Sequence, residues 1–596
     1  MQLSVPSRKT PQNDAFDSRA GSVKTWIDAL PMTNVGETTR QLFSALNNLN
    51  HQDIPAQQRF KALEQLCKPV CFVVENMKRH FVGQPFPLNL KSLKIGHLSR
   101  EISLSLATGY KVLVMDQVTD TRRPNRKLLV KSIHRAIKWL SAAMLRAYQT
   151  YEPCPTSVWH ELHSLYRYAE ENQLLETTVA DDTPNGRRTT TIGNAYKQIL
   201  LLALSCPYRL RHGEAEQIYG LLESWAADSQ VHKLDDCPAA LFVVNLDQDQ
   251  PPTYRILHDS GENRTSCRIL NTAGLSEQVR SALVRSEGGN RQADAPAPST
   301  LQHLLLAWGV MPKRRFSRLR DHSQVIVTMG LSSIHYFVSG EVAFNTLSVS
   351  EDCHTELHTS HTDAQLTDAA NFRYQLKKQG LAEKWSKGIQ LQGQVAPTPT
   401  EQAVARAAAG IQLDMSHRSQ NWKMVNISAG GYCLLWDNLE TTRAQVGELL
   451  GIREESDPDT FHWRLGVIRW MKSVNNRGLE LGVQMLSPGA VAIAARLDKK
   501  GSHDEDFNRG LLLPEIASIR QQATLVLSSP PFRLGDTAIV NCHGTNVRVK
   551  LTRMVENTGS FAQFQYTSLG EVNVPSRQTK HNNGDPEYFD DIWEEL

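Results

Sequence analysis

The hydrophobic period of this 596-residue chain changes once, near Cys237, and that change limits the folds open to it. From about residue 22 to 235, apolar residues recur at steps of three and four, the spacing that lines one face of a helix. Phe60, Leu63, Cys67, Val70, Val74, Met77 and Phe81 make one stripe. Ile133, Ile137, Leu140, Met144 and Tyr148 make a second, and Trp159, Leu162, Tyr166 and Ala169 a third. Pro69 sits inside the first stripe and predicts a kink or split there, because proline has no amide to donate. Ser157 is the expected N-cap of the third. DDTPNGRRTTT (181–191) reads as a loop. These patterns predict a helical interaction domain over 21–235, built of stacked helical hairpins, after a flexible polar lead-in at 1–20.

Beyond Cys237 the period shortens. ALFVVNL (240–246) and TYRIL (253–257) read as strands and 275–285 as a helix, so 236–310 is a small α/β segment. It contains an Ala-, Pro-, Gly- and Ser-rich linker at 286–300. After that, strict alternation sets in, as in Val325, Val327, Met329 and Leu331, and in Leu481, Val483 and Met485. A β domain is expected over 311–487, interrupted by a non-β insertion at 341–415. A second small β-barrel-like unit follows at 488–574, with TLVLSS, TAIVNC and NVRVKLTRM as its clearest strands. Residues 575–596 form an acidic, aromatic tail. The fold class expected is multidomain α + β.

Charge and cysteine usage narrow the function classes. Lys and Arg number 65 against 62 Asp and Glu, a formal net charge of +3, so any anion site must be local and no DNA or RNA partner is expected. No apolar run approaches the ~20 residues of a membrane span, and the N-terminus lacks the apolar core of a signal peptide. The nine cysteines follow no repeated spacing, which argues against a disulfide framework. The expectation is a cytoplasmic protein with no transmembrane segment.

Two clusters carry chemistry. KRRFSRLR (313–320) is five-eighths basic and sits just before a strand; Arg314, Arg315 and Arg318 suit bidentate phosphate recognition and stacking on a purine. Taken alone, it reads equally as a solvated basic linker. NISAGG supplies Asn426, Ser428 and Gly431 at a turn between strands, where short polar groups and glycines allow close approach. Taken alone, it is an ordinary hairpin corner. Cys353, His354, His358 and His361 have the types of a zinc site but read as a solvated loop. WHELH (159–163) lacks the second histidine spacing of H-E-x-x-H, so His160 and His163 are expected on a helix surface.

Together, RRFSR before a strand, N-I-S-A-G-G, FHWRLGVIRWM and LGVQML resemble the PilZ domain family. The resemblance covers about 311–340 plus 416–487. It implies a six-stranded antiparallel barrel and cyclic di-GMP as ligand. R-x-x-x-R falls on Arg314 and Arg318, and N-x-S-x-x-G on Asn426, Ser428 and Gly431; GLSSIH (330–335) is a poorer match to the second motif, too near Arg318. In the family the arginines meet guanine faces and phosphates, while the Asn/Ser turn meets a guanine edge. The motifs stand farther apart here than the family pattern, and the surplus coincides with 341–415. A flexible loop lengthened about fourfold costs only ~1.3 kcal/mol more to close.

No G-x-x-x-x-G-K-[ST], G-x-S-x-G, dinucleotide, G-G-D/E-E-F or E-A-L signature occurs, so no enzyme is expected and no cofactor. The resemblance implies a receptor in which ligand fastens 311–320 onto the barrel, rearranges the helical domain and changes binding of an unidentified protein partner. Surface motility, pili or biofilm would be the output. The competing readings are a nucleotide-independent scaffold with the barrel as a docking module, and an RNA binder using the same basic cluster.

Overall fold

A computed structural model of the chain describes all residues except 1, 13–14, 120–124, 184–185, 235, 238–239, 258–262, 288–295, 310–315, 343, 345–416, 455–462, 475–477, 499–505, 517–520, 543–544 and 572–596. The chain divides into two compact units. One comprises Met1–Val327, Gln420–Glu448 and Gly466–Leu486; the other comprises Thr328–Ser419, Leu449–Leu465 and Ser487–Leu596.

The first unit begins with α1 (Ala20–Asp28), α2 (Val35–His51), α3 (Ala56–Lys78), α4 (Leu90–Thr119), α5 (Arg126–Gln149), α6 (Val158–Glu171), α7 (Ile192–Leu204) and α8 (Glu214–Trp225). Side-chain caps start several of them: Asn34 accepts the Glu37 amide, Asn125 that of Leu128 and Thr191 that of Asn194. The long helices α4 and α5 lie at the centre, and most of α5 is buried, with Ile133, Ile137 and Leu140 fully enclosed. Helix α3 runs unbroken through Pro69 rather than splitting. The flanking Leu66, Val70 and Val73 are fully buried, and at ~1.5–3 kcal/mol per buried aliphatic side chain they outweigh the ~3 kcal/mol proline penalty.

Three further expectations meet local chemistry not visible in the hydrophobic pattern. Residues 181–191 are not all loop: β1 (Val179–Thr183) and β2 (Gly186–Thr190) form a hairpin, and Arg135 and Lys138 of α5 bind Asp181. Ser157 is the N-cap residue of α6 as expected, but with a left-handed φ of 67° its side chain accepts no amide; Asp249, from the α/β segment, accepts the Ser157 and His160 amides at 2.6 and 3.0 Å. His163 is fully buried rather than on the surface, bonded to Tyr196 Oη and to the Gln250 carbonyl. The turn at 247–250 covers that face of α6. The lead-in is also bonded: the Ser4 amide donates to Glu161, and Arg8 pairs with Asp116 at 2.7 Å.

The α/β segment holds β3 (Gln230–Lys233), β4 (Phe242–Asn245), β5 (Thr253–Tyr254) and β6 (Cys267–Asn271) in the order β3-β6-β4-β5, followed by α9 (Ala273–Glu287) and α10 (Pro298–Gly309). The middle strands are β7 (Leu319–Arg320), β8 (Gln324–Met329), β9 (Ser419–Ser428), β10 (Gly431–Trp436), β11 (Leu449–Glu454), β12 (Arg464–Val474) and β13 (Gly478–Ser487). They run β10-β13-β12-β11-β8-β9-β7, and a β10–β9 pairing closes six of them into a barrel. Trp422 and Trp436 meet inside it with ring centroids 5.2 Å apart.

In the second unit, GLSSIH does not form a turn between strands. It opens α11 (Leu331–Val338), whose His335 donates to the Ile493 carbonyl at 3.1 Å. A closed barrel follows, in the order β14-β15-β16-β19-β18-β17. Its strands are β14 (Val491–Leu497), β15 (Asn508–Leu513), β16 (Thr524–Leu527), β17 (Thr537–Cys542), β18 (Thr545–Asn557) and β19 (Ala562–Glu571). Ile493, Leu525, Val540 and Phe564 fill its interior. The strands expected at TLVLSS, TAIVNC and NVRVKLTRM are present.

Candidate functional site

The two sequence clusters meet on β9. Strand β7 pairs with it antiparallel, Leu319 opposite Ile427 and Arg320 opposite Asn426. The Asp321 amide donates to the Val425 carbonyl, and the Met424 amide to that of Ser323. The basic segment is therefore joined to the barrel backbone from 319 onward. Phe316 adds an anchor: a side chain at Gly430 would meet the Phe316 ring at 3.0 Å, so the ring rests on the bare turn.

The N-x-S-x-x-G motif is the β9–β10 hairpin itself, with Ser428 opposite Gly431. Ser428 Oγ donates to the Gly431 carbonyl at 3.2 Å. Gly431 has φ +153°, and a Cβ there would lie 1.9 Å from the Val483 carbonyl oxygen on β13. Only glycine lets β10 approach β13 this closely.

At the centre of the face is Cys433. Its thiol donates to Glu480 Oε1 at 3.1 Å, the Asn426 side chain hydrogen-bonds the same sulfur, and the Arg318 charge reaches it. Burial, reinforced by Glu480, pushes the thiol up to about 12, against the opposing pull of Arg318 and Asn426. Cys433 is thus a neutral hub, not a nucleophile. Next to it, Gly482 pairs with Cys433 across β13, and the Trp470 indole lies directly on Gly482, where a Cβ would fall 1.7 Å from Nε1. Arg469 Nε donates to Gln484 Oε1 at 2.8 Å along the same strands. Arg318 is exposed and has no hydrogen-bond or ion-pair partner among the described residues. The result is a shelf carrying an uncommitted guanidinium, an amide, a hydroxyl and an indole, able to hold a planar, multiply charged anion.

Of the six residues singled out from sequence, Arg318, Asn426, Ser428 and Gly431 come together here. Arg314 and Arg315 lie outside the described residues, as do Cys353, His354, His358 and His361. Sequence reasoning missed Cys433, Glu480, Gly482 and the Phe316 anchor, whose meeting depends on strand register. Among the described residues, no group of three or more His, Cys, Asp or Glu is placed to hold a metal ion, and no helix is long and apolar enough to cross a membrane.

The helical domain touches this barrel within the same unit. The Phe86 carbonyl accepts from Thr442, in the loop after β10, and the Tyr151 carbonyl accepts the Ser473 amide of β12 at 2.8 Å. Phe86 stacks on His212 and meets Tyr151 edge-on, a buried aromatic group behind the contact.

Comparison with known proteins agrees along the whole chain. The model of the N-terminal domain of cyclic-di-GMP receptor FimW matches residues 21–236, that of its middle PilZ domain 241–491 and that of its C-terminal beta-barrel domain 493–569. The cyclic-di-GMP receptor FimW of Pseudomonas aeruginosa is 31% identical over 614 residues, spanning 100% of this chain and 99% of its own length. No solved structure matches.

Proposed function

Because this chain belongs to the FimW family of PilZ-containing cyclic-di-GMP receptors, we propose that it binds cyclic di-GMP on the shelf around Cys433 and acts as an effector rather than an enzyme. The observation that supports the reading is that β7 pairs with β9, Arg320 opposite Asn426, which brings Arg318 and Asn426, on opposite sides of residues 345–416 in the sequence, to one sulfur atom. In this reading Arg318, with Arg314 and Arg315, takes phosphates and guanine faces; Asn426 and Ser428 take a guanine edge; Gly431 keeps the hairpin close enough to β13. Each charged hydrogen bond from arginine contributes roughly 1.5–3 kcal/mol.

The fastening of 311–320 onto the barrel is part of this reading, and its second half has contacts from which to start. Residues 319–320 already pair with β9, and Phe316 already rests on Gly430. Ligand then acts by engaging Arg318 in place. The change passes through the Phe86–Thr442 and Tyr151–Ser473 contacts to the helical domain, which binds a protein partner. A cytoplasmic setting and a motility, pilus or biofilm output complete the proposal.

The test is isothermal titration of the purified chain with cyclic di-GMP, with GTP and an Arg314→Ala/Arg318→Ala variant as controls. Saturable binding selective for the cyclic dinucleotide and lost in the variant is expected. Folded wild-type protein that binds nothing would leave the scaffold reading in its place.

A further inference from the structure

Glu480 has a setting that structural stability does not explain. It projects from β13 two residues before Gly482, so the carboxylate and the indole-covered glycine share one side of the strand. Its sole partner among the described residues is the Cys433 thiol. A thiol is a weak donor, and a carboxylate offers about four lone-pair sites. Glu480 is half-buried, where an under-satisfied carboxylate costs free energy. Arg318 acts on the same sulfur, yet no ion pair joins it to Glu480. An acid and a base thus act on one sulfur with no ion pair between them among the described residues.

A carboxylate is the wrong charge for a phosphate, so its role on an anion-binding shelf lies with the uncharged part of the ligand. Guanine presents N1–H and the 2-amino group as adjacent donors, spaced to meet the two oxygens of one carboxylate. Adenine presents an acceptor at N1, which a carboxylate repels. We propose that Glu480 selects guanine, accepting N1–H and the 2-amino group from one base of the ligand while that base lies along the Trp470 indole. This rests on the cyclic dinucleotide reading above. It gives the site both an attractive and a repulsive element of specificity.

The experiment titrates the full chain and Glu480→Gln with cyclic di-GMP and with cyclic di-IMP, which lacks only the 2-amino groups. Wild type should prefer cyclic di-GMP by about 10-fold. Glu480→Gln should weaken cyclic di-GMP by roughly 10- to 100-fold, the range of a bidentate base contact, and lose the preference. Glu480→Asp, retaining the carboxylate, should keep the preference at lower affinity and covers the case in which the glutamine variant folds poorly. Equal weakening of both ligands would make Glu480 a mere prop for Cys433 and overturn the inference, as would no weakening at all. Arg318→Ala separates the two readings: if it loses binding while Glu480→Gln keeps affinity and preference, only the guanine assignment falls. If Arg318→Ala binds as wild type does, the site itself is wrong.

Discussion

The carbonyl of Phe86 accepts two hydrogen bonds from a single residue, the amide and the hydroxyl of Thr442, each at 2.7 Å. Both residues are buried, at 1% and 4% exposure, so helical domain and barrel are joined through a buried polar contact. Thr442→Val keeps the amide bond and the side-chain shape but deletes the hydroxyl. It should cost about 1 kcal/mol, read as a lower denaturant midpoint with unchanged slope and faster amide exchange near 442–447.

Arg318→Ala should separate binding from folding. The side chain is exposed and unpartnered among the described residues, so stability should stay within about 0.5 kcal/mol of wild type. Affinity for cyclic di-GMP should fall roughly 10- to 100-fold, one charged contact's worth. Calorimetric titration and a melting curve on the same sample check both halves.

Gly431→Ala should do the opposite. A Cβ 1.9 Å from the Val483 oxygen cannot be accommodated without moving β10 or β13, and the backbone conformation is strained for any other residue. A loss of about 3 kcal/mol or more is expected, visible in chemical denaturation without ligand. Ser428→Ala, which removes one 3.2 Å bond, should cost about 1 kcal/mol.

Acid should loosen the helical domain through His163. Burial holds its pKa down at about 4, against 6.5 when free. Above pH 6.5 it is neutral folded and unfolded, and nothing is lost. Below that the unfolded chain takes up a proton the folded chain refuses, so stability falls by about 1.4 kcal/mol per pH unit until pH nears 4. His163→Gln should make the fall of the unfolding midpoint across that window shallower, with the remainder carried by His134, which burial holds at about 3. An unchanged slope would place the acid sensitivity elsewhere.

Cys433 should resist alkylation. With the thiol pushed up to about 12, the thiolate fraction at pH 8 is on the order of one in ten thousand. Mass mapping after iodoacetamide at pH 8 should find Cys433 unmodified in the folded chain and modified after denaturation.

What the sequence disclosed follows from how local each signal is. The hairpin at Asn426–Gly431 is written in its turn residues, and the helical stripes in their period. Cys433, Glu480 and Gly482 were invisible because they lie on two strands whose register, Cys433 opposite Gly482, no short window contains. Asp249 as the cap of α6 is likewise a partner from almost ninety positions away. The hairpin strands at Val179–Thr183 and Gly186–Thr190 are hidden because they carry Asp, Arg and Thr with no apolar alternation. Ser157 sits at the N-cap, but in its left-handed backbone the accepting side chain is that of Asp249.

The separation of Arg318 from Asn426 also has a meaning in time. A ribosome adding roughly 5–20 residues per second exposes the helical half long before β9 emerges. The arginine strand then waits on the order of ten seconds for the strand it pairs with. During synthesis the chain therefore passes through a stage in which its helical domain is complete and the shelf around Cys433 does not yet exist. At that stage every surface of the helical domain that the barrel later covers, Phe86 and Tyr151 among them, is still open.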